Sequence, residues 1–405
     1  MKICFFTENY YKGGLDTFLI NLINTWPDAR DELTLVCNGS HPGLETIIQK
    51  TKRPLNIKKY YRLFSSSIAR GHQDIKGFLY LPVRAFFGLA PQLLQYPILF
   101  PWYVFSLLIF FRRSDYERLM VVNGGYPASL LGRSAIIAWR LAGKRTLAVM
   151  NFHNSTTEPP LRYRFFENCI DAMVLRSSSR IISVSKNCID SLNERFAFRA
   201  CKKSLYIHNG IEDPVPLLKI NLKKQPKYCL MLATYEARKG HGFLLQAFVE
   251  VVKDFPEIKL NIFGHGKLSE KKLVADEIVR LKLEDNVQLG DFTTKTAELI
   301  AGASVLVVPS QEYESFGLTI IEAMAFSVPV VTTDVGGMPE VLGNSNAGYV
   351  CSKDDPVEFS NAIKRILGDS FLASNLGLNG RLMFERKFMA LNMTKQYSLI
   401  IKNEL

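Results

Sequence analysis

The sequence lacks several features that define common classes of protein. Its seven cysteines are scattered, with no two closer than Cys188 and Cys201. This excludes Cys-x-x-Cys motifs and gives no disulfide framework. No Asp-x-Asp motif occurs, and the six histidines do not cluster with carboxylates at ligand spacing, so we expect neither a metal nor a cofactor. Internal repeats and low-complexity tracts are also absent, which excludes repeat and fibrous proteins.

Charge is unevenly distributed along the chain. The 405 residues have a net charge of +12, but residues 1–210 carry 28 Lys and Arg against 14 Asp and Glu, and residues 211–405 carry 22 against 24. The basic first half indicates an anionic partner. The apolar run Ile3–Phe6 near the start is too short for a signal peptide. We therefore expect a cytoplasmic chain that begins with a buried strand.

Short apolar runs alternate with helical patterns, which is typical of βαβ units and parallel sheets. The strands are predicted at 2–6, 33–37, 119–122, 146–151, 181–185, 205–207, 228–233, 260–263, 287–289, 305–308 and 330–332. A prolonged break at 211–226, rich in proline and charge, indicates a linker between two α/β domains of doubly wound type. Asp355 before Pro356 indicates the start of a late helix.

Residues 85–111 contain no charge and are rich in large apolar side chains. Their length permits a transmembrane helix, but three prolines interrupt it: Pro91, Pro97 and Pro101. We prefer a segment in the plane of a membrane, with Trp102, Tyr103 and the flanking arginines at the headgroups. A buried hairpin is the alternative. A basic cluster precedes the segment and comprises Lys50, Lys52, Arg53, Lys58, Lys59 and Arg62. This cluster favours binding to anionic headgroups, and an ordinary solvated face is the alternative.

The strongest chemical pattern follows the predicted strand 305–308. A loop carries Glu314, and the helix after it begins near Gly317 and Leu318 and contains Glu322. Ligands of such sheets bind beyond the carboxyl ends of the strands, and the free N–H groups of a helix start favour phosphate. Because Glu322 has apolar neighbours, we expect its carboxylate to bond hydroxyl or N–H groups. Local capping or pairing is the alternative.

The string from Glu314 to Glu322, Glu-Ser-Phe-Gly-Leu-Thr-Ile-Ile-Glu, resembles the Glu-x7-Glu motif of retaining glycosyltransferases of family 4. These enzymes use nucleotide sugars and have the GT-B fold. Further landmarks in family order are Gly13-Gly14, Ser183-Val184-Ser185, Ile207–Ile211, Leu260–Gly266 and Gly336–Val341. The resemblance covers the whole second domain and most of the first, apart from residues 40–115.

The resemblance implies a domain organisation. Two Rossmann-like, doubly wound domains would face each other across a cleft. The acceptor-binding domain would comprise residues 1–210, including the membrane-associating segment 85–111. The linker 211–226 would lead to a nucleotide-sugar-binding domain at 227–388, and a helix at 389–405 would return to the first domain.

The resemblance also implies roles for single residues. Glu314 would contact the transferred sugar, Glu322 the donor ribose, and Lys239 the diphosphate, whose charge builds as it leaves. His153 would face the sugar, although a satisfied core histidine is the alternative. The expected catalytic residues are Glu314, His153 and Lys239, and the donor-binding residues are Gly14, Arg238, Lys239, Phe316, Gly317, Leu318 and Glu322. Thr234 stands where the family has an arginine, so Arg238 supplies that charge or the diphosphate is held less tightly.

The function implied is a retaining, metal-independent hexosyltransferase. It would transfer a sugar from a nucleotide sugar to a lipid-linked saccharide or glycolipid during surface polysaccharide or lipopolysaccharide biosynthesis. Retention by a covalent intermediate or by same-face substitution stays open, the latter being preferred. The expected partners include an anionic membrane surface at the inner face of the cytoplasmic membrane, and no nucleic acid. The alternatives are a GT-B sugar-nucleotide epimerase, an NAD(P)-dependent oxidoreductase and a non-catalytic lipid-bound scaffold.

Overall fold

A computed structural model describes residues 1–60, 95–154, 156–159, 161–199, 201–217 and 227–402, with the backbone alone at 344. The chain divides into two compact units. Unit 1 comprises Met1–Ser183, Cys188–Ile207 and Thr394–Leu405, and unit 2 comprises Val184–Asn187 and His208–Met393. Four predicted features fall wholly or partly outside the described residues: Arg62, the first part of the segment 85–111, the linker beyond residue 217 and the end of the helix 389–405 beyond residue 402.

Unit 1 contains a seven-stranded sheet in which every strand pairing is parallel. The strand order is β3-β2-β1-β4-β5-β6-β7. The strands are β1 (Lys2–Thr7), β2 (Glu32–Asn38), β3 (Asn56–Tyr60), β4 (Arg118–Asn123), β5 (Ala148–Phe152), β6 (Ser178–Ser183) and β7 (Ser204–Tyr206). The order reverses between β1 and β4, as in a doubly wound sheet, where ligands bind at the carboxyl ends of the strands.

Unit 2 repeats this plan with six parallel strands in the order β10-β9-β8-β11-β12-β13. The strands are β8 (Tyr228–Leu232), β9 (Lys259–Phe263), β10 (Val287–Gly290), β11 (Val305–Val308), β12 (Val330–Thr333) and β13 (Gly348–Cys351). The order reverses between β8 and β11, so the loops that follow these two strands flank the point where a ligand of such a sheet binds.

Helices connect the strands of both units. The first group is α1 (Gly14–Asn24), α2 (Leu44–Lys50), α3 (Phe100–Arg112), α4 (Leu130–Leu141), α5 (Arg164–Ser177) and α6 (Lys186–Asn193). The second group is α7 (His241–Asp254), α8 (Leu268–Arg280), α9 (Thr296–Gly302), α10 (Leu318–Ala325), α11 (Met338–Leu342), α12 (Pro356–Gly368), α13 (Ser370–Met383) and α14 (Ala390–Lys402). Helix α14 contributes its residues from Thr394 onward to unit 1, where the Asn151 amide donates to the Tyr397 hydroxyl at 2.8 Å.

The predicted doubly wound α/β fold is confirmed, and most predicted strands are found within two residues of their observed ends. The cap of α12 is also found, because the Asp355 carboxylate accepts the N–H groups of Val357 and Glu358 at 2.9 Å. Strands β3 and β13 were not predicted. Strand β3 lies at the sheet edge and reads Asn-Ile-Lys-Lys-Tyr, a lysine-rich composition that protects edges from further pairing.

The described part of the segment 85–111 packs against unit 1 with one helical face only. Pro97 lies in a π-helical turn, Gln95–Leu99, and Pro101 lies in the first turn of α3, where proline is tolerated. Trp102 is exposed as predicted, but the placement of Tyr103 at the headgroups is wrong, because its side chain is buried. No helix in the described ranges is both long and apolar enough to cross a membrane.

At least one side chain of the basic cluster before this segment has a structural role within unit 1. The Arg53 guanidinium donates to the carbonyls of Trp26 at 3.1 Å and Asp31 at 3.0 Å, and so holds a turn of unit 1. Lys58 lies on β3 with its ammonium 5.0 Å from the centre of the Tyr116 ring. The Arg53 guanidinium therefore belongs to the structure of unit 1, and the prediction that the cluster favours anionic headgroups applies to its other side chains.

Candidate active site

Two predicted site residues that lie far apart in the chain meet at the reversal point of unit 2. Lys239 ends a short turn after β8, and Glu314 lies in the loop after β11. The Lys239 ammonium donates a short hydrogen bond to the Glu314 carboxylate, and both side chains are largely buried. Strands β8 and β11 are neighbours, so this ion pair lies at the carboxyl ends of the central strands.

Glycines allow the loops around this ion pair to pack closely. Gly240 has φ 79°, and a Cβ there would lie 1.8 Å from the Pro309 carbonyl oxygen. Gly336 has φ 62°, and a Cβ there would lie 2.0 Å from the Glu314 carbonyl oxygen, which also accepts the Gly337 N–H at 2.8 Å. Larger residues at these positions would push the loops apart. The Gly336-Gly337 pair thus supports the backbone of Glu314.

Helix α10 begins directly after the Glu314 loop. Gly317 caps it in the left-handed region, with φ 81° and ψ 67°, and Leu318 is its first residue. The Phe316 side chain is buried, with its ring 5.7 Å from His208 and 6.1 Å from Phe388. Only the backbone of this stretch is therefore suited to a polar ligand, and the N–H groups of a helix start favour an anion.

Glu322 lies one turn further into α10 and has an unusual environment. Its carboxylate makes no hydrogen bond or ion pair with any residue in the described ranges, contrary to the alternative of local capping or pairing. Burial raises the pKa of Glu322 to about 7. The Glu322 side chain is half-buried. A carboxylate that is partly removed from water and has no partner in the described ranges is unfavourable, and such groups are enriched at functional sites.

Arg238 forms an ion pair of its own next to the pair between Lys239 and Glu314. Its Nε donates to the Glu236 carboxylate at 2.6 Å, and its guanidinium lies 5.3 Å from the centre of the Tyr313 ring. The same carboxylate accepts the Thr234 hydroxyl at 3.0 Å. Burial raises the pKa of Glu236, but the hydrogen bonds from Arg238 and Thr234 outweigh it and hold the pKa below its usual range. Sequence reasoning missed Glu236, whose only signal was its position two residues from each partner.

His153 and Gly14 lie in unit 1, at the carboxyl edge of its sheet. His153 follows β5 directly, and its ring packs edge-on against Phe18 of α1 at 4.3 Å. Its Nε2 is buried without a partner among the described residues, and burial lowers the pKa of the imidazole to about 3. His153 is therefore neutral at physiological pH. Gly14 opens α1, which follows β1 of the same sheet.

Sequence reasoning missed a polar group at the start of α1. The buried Asp16 carboxylate accepts the Gly13 N–H at 3.2 Å and the Asn9 amide at 2.8 Å, and its Oδ1 lies 2.8 Å from His41 Nε2. These contacts fix the glycine loop before the helix. An acidic residue in the first turn of a helix is common, so no sequence pattern indicated the contact with His41.

Comparison with solved structures defines the fold. The crystal structure of Anabaena Alr3699/HepE in complex with UDP superposes with a TM-score of 0.71 over 100% of both chains, at 16% identity. This likeness shows the fold, which is that of GT-B glycosyltransferases, so the predicted fold class is confirmed.

Sequence comparison then finds similar proteins and a family model that matches part of the chain. Residues 218–383 match the family model described as glycosyl transferases group 1. The N-acetyl-alpha-D-glucosaminyl L-malate synthase of Bacillus anthracis is 26% identical over 66% of this chain and 70% of its own length. The phosphatidyl-myo-inositol mannosyltransferase of Mycobacterium tuberculosis is 30% identical over 51% of this chain and 54% of its own length. These findings support a group 1 glycosyltransferase and do not favour the epimerase.

Proposed function

We propose that this protein is a retaining glycosyltransferase that binds the donor nucleotide sugar at the carboxyl ends of β8 and β11. The observation that carries this proposal is the grouping of Lys239, Glu314 and the start of α10 at the reversal point of the sheet. The carboxylate of Glu322 in the same helix, which has no partner among the described residues, supports it, because two ribose hydroxyls would donate hydrogen bonds to it.

The ion pair gives a route by which donor binding prepares the site. A diphosphate carries more negative charge than the Glu314 carboxylate, so we infer that it draws Lys239 toward itself and releases Glu314 to the hydroxyls of the sugar. The N–H groups of Gly317 and Leu318 add donors at the helix start. Lys239 and these groups supply the positive charge that the leaving group needs, and on this basis we propose catalysis without a metal.

The reaction breaks the bond between the anomeric carbon and the diphosphate oxygen and forms one to the acceptor oxygen. We propose that the acceptor hydroxyl gives its proton to the leaving diphosphate on the same face of the sugar, so that configuration is retained. Glu314 is the predicted contact of the sugar hydroxyls, which leaves it unsuited as the nucleophile. Neutral His153 would contact the sugar by a hydrogen bond rather than as an acid, because its pKa is low.

The acceptor proposed is a lipid-linked saccharide or a glycolipid, used in the assembly of surface polysaccharide or lipopolysaccharide. One relative is named for a phosphatidylinositol acceptor, and the first half of this chain is strongly basic. We therefore propose that the enzyme works peripherally at the inner, anionic face of the cytoplasmic membrane.

Calorimetric titration of UDP, GDP and NAD into the protein tests the donor site without knowledge of the acceptor. We expect one nucleoside diphosphate to bind, and Glu322→Ala to lose most of that binding. The matched control is Glu298→Ala, which removes an exposed glutamate from helix α9 of the same unit. Binding of NAD alone, or equal binding by wild type and Glu322→Ala, would contradict the proposal.

A further inference from the structure

The outer face of helix α3 and of the π-helical turn before it exposes a row of large apolar side chains. Ile98 of the turn and Trp102, Phe105 and Ile109 of α3 are 55%, 59%, 55% and 37% exposed. The spacing of three and four residues within α3 places its three side chains on one side of the helix. The rings of Trp102 and Phe105 lie 6.4 Å apart. Such a continuous apolar row on a surface helix marks an interaction site rather than isolated exposed residues.

The opposite face of the same segment fixes it firmly to unit 1. Phe100, Tyr103, Leu107 and Phe111 are buried, and the Phe111 ring packs edge-on against Trp139 of α4 at 5.3 Å. The exposed row is therefore presented by a helix whose opposite face is already packed against the described part of unit 1.

Just before α3, Tyr96 joins this row to a second group of exposed apolar side chains. Its hydroxyl donates to the buried Glu167 carboxylate at 2.6 Å, and its ring stacks on Phe166 at 5.6 Å. Phe165 and Phe166 at the start of α5 are 74% and 43% exposed. The apolar surface thus continues from α3 to the beginning of α5.

The charges near α3 favour an anionic partner. Residues 95–113 contain no acidic side chain and end with Arg112 and Arg113, both exposed. The next acidic residue, Asp115, is already paired with the ammonium of Lys2. A second copy of the same surface would bring no acidic residue of this segment to Arg112 and Arg113, whereas anionic headgroups would neutralise both.

The direction of α3 relates this surface to the substrate edge of unit 1. The helix ends at Arg112, and β4 begins at Arg118, so the end of α3 lies at the amino edge of the parallel sheet. The Glu117 N–H donates to the Lys2 carbonyl at 2.8 Å, which confirms this position. The start of α3 therefore lies toward the carboxyl edge, where His153 follows β5.

We propose that the outer face of α3, together with Phe165 and Phe166, docks on an anionic lipid bilayer. The helix lies in the interface with Trp102 and Phe105 among the acyl chains and with Arg112 and Arg113 at the headgroups. This inference rests on the proposed function, since it places the carboxyl edge of unit 1 beside the membrane that carries the acceptor.

The three tryptophans give a direct assay for this contact. Trp102 is 59% exposed, whereas Trp26 and Trp139 are 5% and 0% exposed. We expect vesicles of phosphatidylcholine with phosphatidylglycerol to shift the fluorescence of the full-length protein to shorter wavelength, and phosphatidylcholine alone to shift it much less. Because Trp102 is the exposed fluorophore, Trp102→Phe is expected to remove the shift while flotation with the vesicles persists.

Phe105→Ser should reduce vesicle affinity by about tenfold or more, since a large apolar side chain no longer enters the bilayer. The matched control is Phe371→Ser, which alters a phenylalanine that is 75% exposed on a helix of unit 2 and should float like wild type. Arg112→Gln with Arg113→Gln should weaken the preference for anionic vesicles. Calorimetric binding of UDP or GDP is measured on the same variants and should stay unchanged.

Three results would overturn the inference. The first is wild-type protein that does not float with anionic vesicles, and the second is Phe105→Ser that floats as well as Phe371→Ser. The third is a dimer of the wild type in gel filtration that Phe105→Ser dissociates, since that assigns the surface to a second copy of the chain. Failure of nucleotide binding in the wild type would contradict the proposed donor site instead, and it would leave the vesicle results unaffected.

Discussion

Protonation of Glu322 should be coupled to nucleotide binding. Burial raises the pKa of this carboxyl from its ordinary value of 4.5 to about 7, which corresponds to about 3 kcal/mol against the ionised form. Near pH 7 the free protein is therefore about half protonated at Glu322. Two ribose hydroxyls would donate to the carboxylate, and hydrogen bonds to a charged group contribute about 1.5–3 kcal/mol each. Binding should thus lower the pKa and release about half a proton at pH 7.

Calorimetry in buffers of different ionisation enthalpy measures this proton release. The variant Glu322→Gln keeps the size of the side chain but cannot titrate. Nucleotide binding to this variant should therefore release about half a proton less than binding to wild type. The phosphate of the nucleotide itself titrates near pH 6, and the comparison with the variant removes its contribution. In the wild type, the affinity attributable to Glu322 should rise with pH up to about 7 and then level off. Equal proton release by wild type and Glu322→Gln would refute the reasoning.

The same shift predicts how stability depends on pH. The folded pKa lies above the unfolded pKa, so between about pH 4.5 and 7 the folded state binds more protons, and its stability falls as pH rises through this range. Relative to Glu322→Gln, the wild type should lose about 3 kcal/mol of unfolding free energy between pH 4 and 8. Urea unfolding at the two pH values, with Glu298→Gln as control, measures this difference.

Three further changes test the packing around the site and in unit 1. Gly336→Ala should weaken nucleotide binding and lower the melting temperature, because its Cβ would lie 2.0 Å from the Glu314 carbonyl oxygen. The control is Gly143→Ala, at a glycine that has φ 72° but open space around it. Its melting temperature should fall only by the effect of backbone strain. Asp355→Ala should cost about 1 kcal/mol by loss of the helix cap, measured by denaturant unfolding and contradicted by an unchanged midpoint. Glu167→Gln should destabilise by about 3–5 kcal/mol, because it leaves two buried arginines short of a charged partner; a melting temperature equal to that of wild type would argue against this.

The sequence predicted the fold well because both sheets are parallel and buried, so their strands appear as short apolar runs. The two strands that escaped prediction are the edges β3 and β13. Lys58 and Lys59 gave β3 the appearance of a surface cluster, and in β13 Cys351 is the one buried side chain. Edge strands need fewer apolar side chains than central ones, so the pattern on which the prediction depends is weak there.

The sequence indicated which residues belong to the candidate site, but it did not indicate that Lys239 and Glu314 pair with each other. The Glu-x7-Glu string drew attention to Glu314 and Glu322, yet the ion pair between Lys239 and Glu314 joins positions 75 residues apart. It depends on β8 and β11 being neighbours, which sequence patterns do not specify. Similarly, Arg238 contacts the Tyr313 ring and the Glu236 carboxylate because of the path of a loop. The sequence alone could not show that its charge is bonded to Glu236.

The contrast between the two glutamates is itself an argument for a ligand site. In the free protein Glu314 has a cation as its partner, so its charge is compensated. Glu322 has none among the described residues, and its ionised form costs about 3 kcal/mol. A purely structural residue at this position would be better as glutamine or an apolar side chain. A nucleotide sugar would change both situations together, since its diphosphate would compete for Lys239 and its ribose would bond Glu322. The unfavourable carboxylate is therefore expected to add to donor affinity, and Glu322→Gln should be more stable and bind less tightly.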